Sequence, residues 1–326
     1  MPKQKKAAAK KPRTKSTATA KPARRIPTAK EIKEAAGRAS AWLGKRDDYY
    51  GYLVRRSRRR GAPELASHLR GDLQAKQQRD GSWHDPDEEA PSLSLAAEAL
   101  WQLMNLGLSA GSRAIDRGID WINSRQGADG AFGAGSATAR HITPTPGMEN
   151  AFFSPGKSDE PQEAYLPNGQ SVTSDAGARL LASERALRTV LRANPNDPRA
   201  IPSVQALRGL PLYLEYGGTF TPAVLAGALQ ALAWVPTPYH GEVIAALETL
   251  ASNQEKDGTW PNVEFFFVLE ALLEVRHPLA LRLMQKAIPR LMETQHKYGA
   301  WGRHYLAEQT WIGLSVLDVA AADWSA

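Results

Sequence analysis

The chain has 326 residues, 42% of them hydrophobic, with a formal net charge of +7 and no cysteine. That length holds two average domains or one repeat ring, and the missing cysteine excludes disulfides, thiolate nucleophiles and Cys-ligated zinc. No apolar run approaches the ~18 residues that span a bilayer, and the basic N-terminus lacks the apolar core of a secretory signal, so a cytoplasmic location is expected.

Ten of the 41 basic residues fall within residues 1–25, which contain no acid, leaving 31 basic against 34 acidic residues elsewhere. The positive excess therefore belongs to the tail. Residues 1–27, mostly Lys, Ala, Pro, Thr and Arg, bury too little apolar surface to offset their ordering entropy and read as a disordered basic segment. Residues 28–326 read as one all-α domain. Apolar positions three and four apart predict helices at 29–44, 47–60, 63–77, 91–107, 112–126 and 176–193, then at 202–215, 221–235, 241–254, 262–275, 279–296 and 305–322. Pro91 and Pro222 fit first-turn positions. Residues 133–175, rich in Pro, Gly and Ser, break the rhythm as an inserted loop; Phe152, Phe153, Tyr165 and Leu166 favour an ordered flap.

Five predicted helices end in a glycine, a small residue and an aromatic: Gly81-Ser82-Trp83, Gly130-Ala131-Phe132, Gly218-Thr219-Phe220, Gly258-Thr259-Trp260 and Gly299-Ala300-Trp301. With the insertion subtracted, the period is about 40 to 50 residues, the mark of stacked helical pairs. The fullest copies, Gln77-Gln78-Arg79-Asp80-Gly81-Ser82-Trp83 and Gln254-Glu255-Lys256-Asp257-Gly258-Thr259-Trp260, place a glutamine where backbone groups at a helix end need partners. The glycine takes a positive φ and the aromatic covers the joint. These are structural tasks.

The pattern resembles the QW-type repeat of the terpenoid cyclase and protein prenyltransferase superfamily, which includes the squalene and hopene cyclases. The resemblance covers about residues 63–322 and implies an α/α toroid of about six helical pairs around a central cavity. Helices that follow each aromatic would be inner and those that precede it outer, with residues 29–60 supplying the sixth pair. Cyclases that protonate an alkene carry an Asp-x-Asp-Asp run at the mouth of an inner helix. The corresponding stretch here is Asp85-Pro86-Asp87-Glu88-Glu89, which departs from that run in its last aspartate and carries a proline. Asp85 and Asp87 are thus the candidate catalytic acids, or a solvated acidic turn at a helix N-terminus. Prenyltransferases of this fold hold zinc with Asp, Cys and His; without cysteine, neither that activity nor a metal or other cofactor is implied.

Four of the predicted inner helices also carry polar and aromatic residues on one face: Glu98 with Trp101, Gln230 with Trp234, Phe266 with Glu270, and Glu308 with Trp311. Facing inward, they would line a cavity suited to a cation, a carbocation-like intermediate or a stacked sugar; the other reading is packing between helices. The seven histidines, His84 and His304 among them, lack helical metal-site spacing. Three functions are open. One is a squalene cyclase-like repeat protein binding an elongated isoprenoid or lipid, as an acid-initiated cyclase where it is an enzyme. Another is a glycoside hydrolase or polysaccharide lyase using Glu98, Glu270 and Glu308. The third is a non-catalytic scaffold. The 1–25 tail and the cluster Arg55-Arg56-Ser57-Arg58-Arg59-Arg60 suit non-specific contact with nucleic acid or an acidic membrane surface, or solubilise the chain.

Overall fold

A computed structural model describes residues 26–84, 91–126, 130, 132, 164–165, 171–172, 175–207, 222–236, 240–261, 263–320 and 322. The tail, Asp85, Asp87, the Gly218 joint and most of the 133–175 insertion lie outside the described residues. Among those described, twelve α-helices follow one another. They are α1 (Ala29–Leu43), α2 (Tyr49–Ser57), α3 (Pro63–Ala75), α4 (Leu93–Asn105), α5 (Arg113–Asn123), α6 (Asp175–Ala193), α7 (Ile201–Leu207), α8 (Pro222–Leu232), α9 (His240–Asn253), α10 (Phe265–Val275), α11 (Pro278–Thr294) and α12 (Leu306–Ala320). Within the insertion a two-residue antiparallel ladder joins β1 (Ala164–Tyr165) to β2 (Ser171–Val172).

Local chemistry sets the helix starts. Thr28 and Glu31 form a reciprocal capping box on α1, with Thr28 N donating to Glu31 Oε2 at 2.8 Å and Glu31 N to Thr28 Oγ1 at 3.3 Å. Asp48 accepts from Gly51 N at 2.9 Å to start α2. Ser92, not Pro91, caps α4; Pro91 instead pairs across to His84 as an isolated bridge.

The even-numbered helices form an inner ring. α4 packs on α6, α6 on α8, α8 on α10, α10 on α12, and α12 on α2. The odd-numbered helices lie outside: α3 bridges α2 and α4, α5 bridges α4 and α6, α11 bridges α10 and α12, and α1 bridges α12 and α2. α7 packs on α6 and α9 on α8. An inner helix buried on every side is apolar almost all round, as in α8, where Leu225 through Leu232 are all buried; α2 and α6 carry arginines as well. The fold is the α/α toroid expected from the repeats.

The joints show how the ring holds. The side-chain amides of Gln77, Gln254 and Gln295 each donate to the carbonyl of their own repeat's glycine, at 3.2, 3.0 and 3.0 Å. Each amide also donates to the next outer helix, at Ala114 O of α5, Leu283 O of α11 and Ala35 O of α1. The indole N–H groups of Trp83, Trp260 and Trp301 each bond a carbonyl ten residues back, those of Leu73, Leu250 and Leu291. Gln77, rather than Gln78, holds this position. Joint two varies the theme: Gln126 donates to Ser203 Oγ of α7 at 2.7 Å, and Ser203 passes a hydrogen bond to Gly130 O.

Gly81, Gly258 and Gly299 have φ of +97°, +85° and +103°, and a Cβ on any of them would overlap the backbone of the adjoining outer helix. Gly258→Ala is expected to lose about 2 kcal/mol or more through its φ and that overlap. Gly37→Ala, in α1 with nothing within 4 Å of an added Cβ, should gain up to about 1 kcal/mol from helix propensity. Urea midpoints at unchanged slope test both.

Candidate ligand-binding hollow

Inside the ring lies a hollow of about 240 Å³, walled by α2, α4, α6, α10 and α12. Its base is a closed ionic network built on α6. The Arg188 guanidinium lies 3.7 Å from the Trp101 ring centroid. It donates to Gln230 Oε1 and Glu270 Oε1, both at 3.1 Å, and to Glu274 Oε1 at 2.7 Å. The remaining carboxylate oxygens are also matched: Gln230 Nε2 donates to Glu270 Oε2 at 3.2 Å, and Trp234 Nε1 to Glu274 Oε2 at 2.7 Å. Burial alone would lower the Arg188 pKa, but Glu274 and Glu270 more than offset it and keep the side chain charged. One turn on, Arg192 lies 4.0 Å from the same indole and donates to Asn105 Oδ1 at 2.6 Å. Asn105 in turn donates to the Tyr49 hydroxyl. Trp101 and Trp234 meet edge to face at 5.6 Å.

The rest of the wall is less tightly tied. Glu98 accepts from Gln102 at 2.9 Å and lies 4.0 Å from Arg185. Glu308 is 7% exposed, and its Oε2 has no hydrogen-bond partner among the described residues. Burial, then repulsion from Glu270 and Glu98, push its carboxyl up to about 9, against the pull of Arg185 and Arg188. Tyr50 is raised by burial and by Glu308, Glu98 and Glu270, and stays a neutral phenol. A second buried acid, Glu184 on α6, has neither oxygen paired among the described residues and is pushed up by burial. It fits because residue 227 is glycine; a Cβ there would overlap the carboxyl.

The residues singled out from the sequence divide as follows. Glu98, Trp101, Glu270, Glu308 and Trp311 line the hollow. Gln230 and Trp234 stand behind it, bonded to Arg188, Glu270 and Glu274. Phe266, buried one turn from Glu270, walls a separate space of about 560 Å³ shared with Glu264, Arg290 and Gln309. His304 is exposed beside that space, and His84 is exposed at its joint. In the arginine cluster, Arg55, Arg56 and Arg58 bind Asp47, the Asn105 carbonyl and Asp318.

Sequence reasoning missed Arg188, Arg192, Glu274, Tyr49 and Tyr50. The signal was present: Arg185, Arg188 and Arg192 share a face of a helix predicted to be inner, as do Glu270 and Glu274. Among the described residues no group of three or more His, Asp or Glu side chains could hold a metal ion, and no helix is long and apolar enough to cross a membrane.

This architecture is similar to that of type II terpene cyclases of known structure. Substituted forms of one such enzyme, MstE from Scytonema, superpose with TM-scores of 0.57 and 0.55 at 12% and 13% identity, covering 90% of this chain and 98% of theirs. Those structures hold geranylgeranyl dihydroxybenzoate as substrate and merosterolic acid A as product. A crystal structure of a protein from Actinoplanes superposes at 0.52 and 15% identity, covering 89% of this chain and 90% of that one. At such identities the likeness concerns the fold. No family model and no curated sequence matches the chain.

Removing Arg188 would strand two buried carboxylates. Arg188→Met is expected to destabilise the fold by about 3–5 kcal/mol, with Glu270→Gln and Glu274→Gln restoring much of the loss, by denaturant melts. Glu308 predicts a pH effect of definite sign. Its folded pKa near 9 exceeds the ordinary value of 4.5, so the folded state keeps a proton that the unfolded chain releases. Its contribution to stability is therefore lost as pH rises from about 4.5 to about 9. Glu308→Gln should lose less stability than the parent across that window in thermal melts.

Proposed function

We propose that the protein is a terpenoid cyclase-like enzyme that takes an isoprenoid-type ligand at the central hollow, with Glu308 as the proton donor. The observation that carries this reading is Glu308 itself, a carboxylic acid kept neutral near pH 7 on the wall of a closed toroid. Tyr50 and Trp311 share that wall. The ligands bound by the superposed cyclase supply the substrate class.

In the proposed reaction the π electrons of a ligand C=C bond take the Glu308 proton, leaving a carbocation on the other carbon. Aromatic faces stabilise that cation. Ring closure moves the charge along the chain until a C–H bond next to the cation gives up its proton. Its electron pair forms a new C=C, and the proton returns to the Glu308 carboxylate to restore the neutral acid. A hollow of about 240 Å³ is smaller than the usual ~300–1,000 Å³ of ligand pockets, so it receives the reacting end of the ligand rather than a whole long chain. The hydrolase and lyase readings draw no support from this arrangement, since Glu270 is bound by Arg188 and Glu98 by Gln102.

Asp85 and Asp87 are the competing proton donors, proposed from the sequence run alone. Mass spectrometry under native conditions should find a co-purifying isoprenoid, and polyprenes such as geranylgeraniol serve as trial substrates. Glu308→Gln should lower turnover by about 10²-fold or more at unchanged ligand affinity, while Asp85→Asn with Asp87→Asn leaves it intact. The reverse pattern moves the acid to the joint. Absence of both bound isoprenoid and turnover overturns the reading.

A further inference from the structure

The charges around the hollow leave one place open. α6 contributes Arg185, Arg188 and Arg192; against them stand Glu98 of α4, Glu270 and Glu274 of α10, and Glu308 of α12. With Glu308 protonated the count is three positive to three negative. Arg188, Gln230 and Trp234 together occupy both oxygens of Glu270 and of Glu274, while Glu308 Oε2 stays buried and without a partner among the described residues. A buried polar atom without a partner is unfavourable and calls for one. Its surroundings select the partner's sign, because Glu270 and Glu98 are the charges that oppose ionisation there. The hollow's wall holds four carboxyl groups and one guanidinium. Arg188 and Arg192 already lie against Trp101, which leaves the rings of Tyr50 and Trp311 for a ligand.

We infer that the hollow is a proton–cation exchange site: a compact alkylammonium group enters against Tyr50 and Trp311, and Glu308 releases its proton to become the counter-ion. The inference rests on the hollow being the ligand site and specifies the charge that site accepts; it holds whether or not cyclisation follows. Aromatic rings with adjacent carboxylates are the usual setting for alkylammonium groups, and the exchange leaves the enclosed charge balanced. The groups facing Glu308 are Tyr50 of α2, Glu98 of α4, Arg185 and Arg188 of α6, and Glu270 of α10. Arg290 of α11 lies in the neighbouring space with Gln309.

Tetramethylammonium chloride is the probe, with tert-butanol as its neutral counterpart. Titration calorimetry of the full chain at pH 7, in phosphate and in Tris, counts protons through the difference in buffer ionisation heat. Close to one proton should leave per cation bound, and none with tert-butanol. The dissociation constant should fall about tenfold per pH unit from pH 7 toward 9 and level off above. Glu308→Gln should bind more weakly, with a flat pH profile and no proton release. Absence of tetramethylammonium binding, or a flat profile in the parent protein, overturns the inference, and the parent's proton count decides even where the variant misfolds. Proton-coupled binding without isoprenoid turnover sinks the cyclase reading alone; turnover without proton-coupled binding sinks this one alone.

Discussion

The structure depends on one repeated contact, in which a glutamine amide bonds its own repeat's glycine and the neighbouring outer helix at once. A helical hairpin has no intrinsic reason to prefer one neighbour or one angle. The amide supplies both, because its two N–H groups fix two backbone carbonyls from different pairs. The adjacent glycine lets the backbones approach to a distance that any side chain would prevent. The last of these contacts joins Gln295 to Ala35 of the first helix, so the same geometry that stacks the pairs also closes the circle.

Closure has an electrostatic consequence. Six inner helices present side chains to one small interior, and any charge placed there needs a partner from another helix. Arg188 of α6 finds them on α8 and α10 and rests on an indole from α4. Such a network ties four helices into one arrangement and is unfavourable when half-built. Glu308 and Glu184 are different in kind. Burial keeps Glu184 uncharged, and at Glu308 burial with the repulsion of Glu270 and Glu98 outweighs the pull of Arg185 and Arg188. Groups poised in this way are those whose protonation responds to an arriving ligand.

Much of the architecture was legible in the sequence because repeats and helical periodicity are local signals. Eleven helices fall near their predicted spans, while of the span predicted at 202–215 only the part within Ile201–Leu207 is described. The inner and outer alternation followed from which side of each aromatic a helix lay. The α4 start moved from Pro91 to Leu93 because Ser92 caps better than a proline begins. The hollow was only partly legible. Glu98, Trp101, Glu270, Glu308 and Trp311 were readable as polar and aromatic pairs on inner faces, whereas Arg188 was not, since three arginines on one helix look like a solvated face. Phe266 shares its helix face with Glu270 only loosely; a turn of offset and the nearness of α11 carry its ring to the neighbouring space. The role of Arg188 comes from partners 42, 82 and 86 residues away, a separation that no local pattern encodes.

The clasp between joint five and α1 also bears on how the chain is made. Ile32, Ala35, Ala39 and Leu43 form the buried stripe of α1, and α12 covers much of it. On the ribosome α1 emerges well before α12, so that stripe stays uncovered until α12 follows. The circle therefore completes late, by contacts that span some 260 residues, and folding of this ring is bounded by its longest-range step.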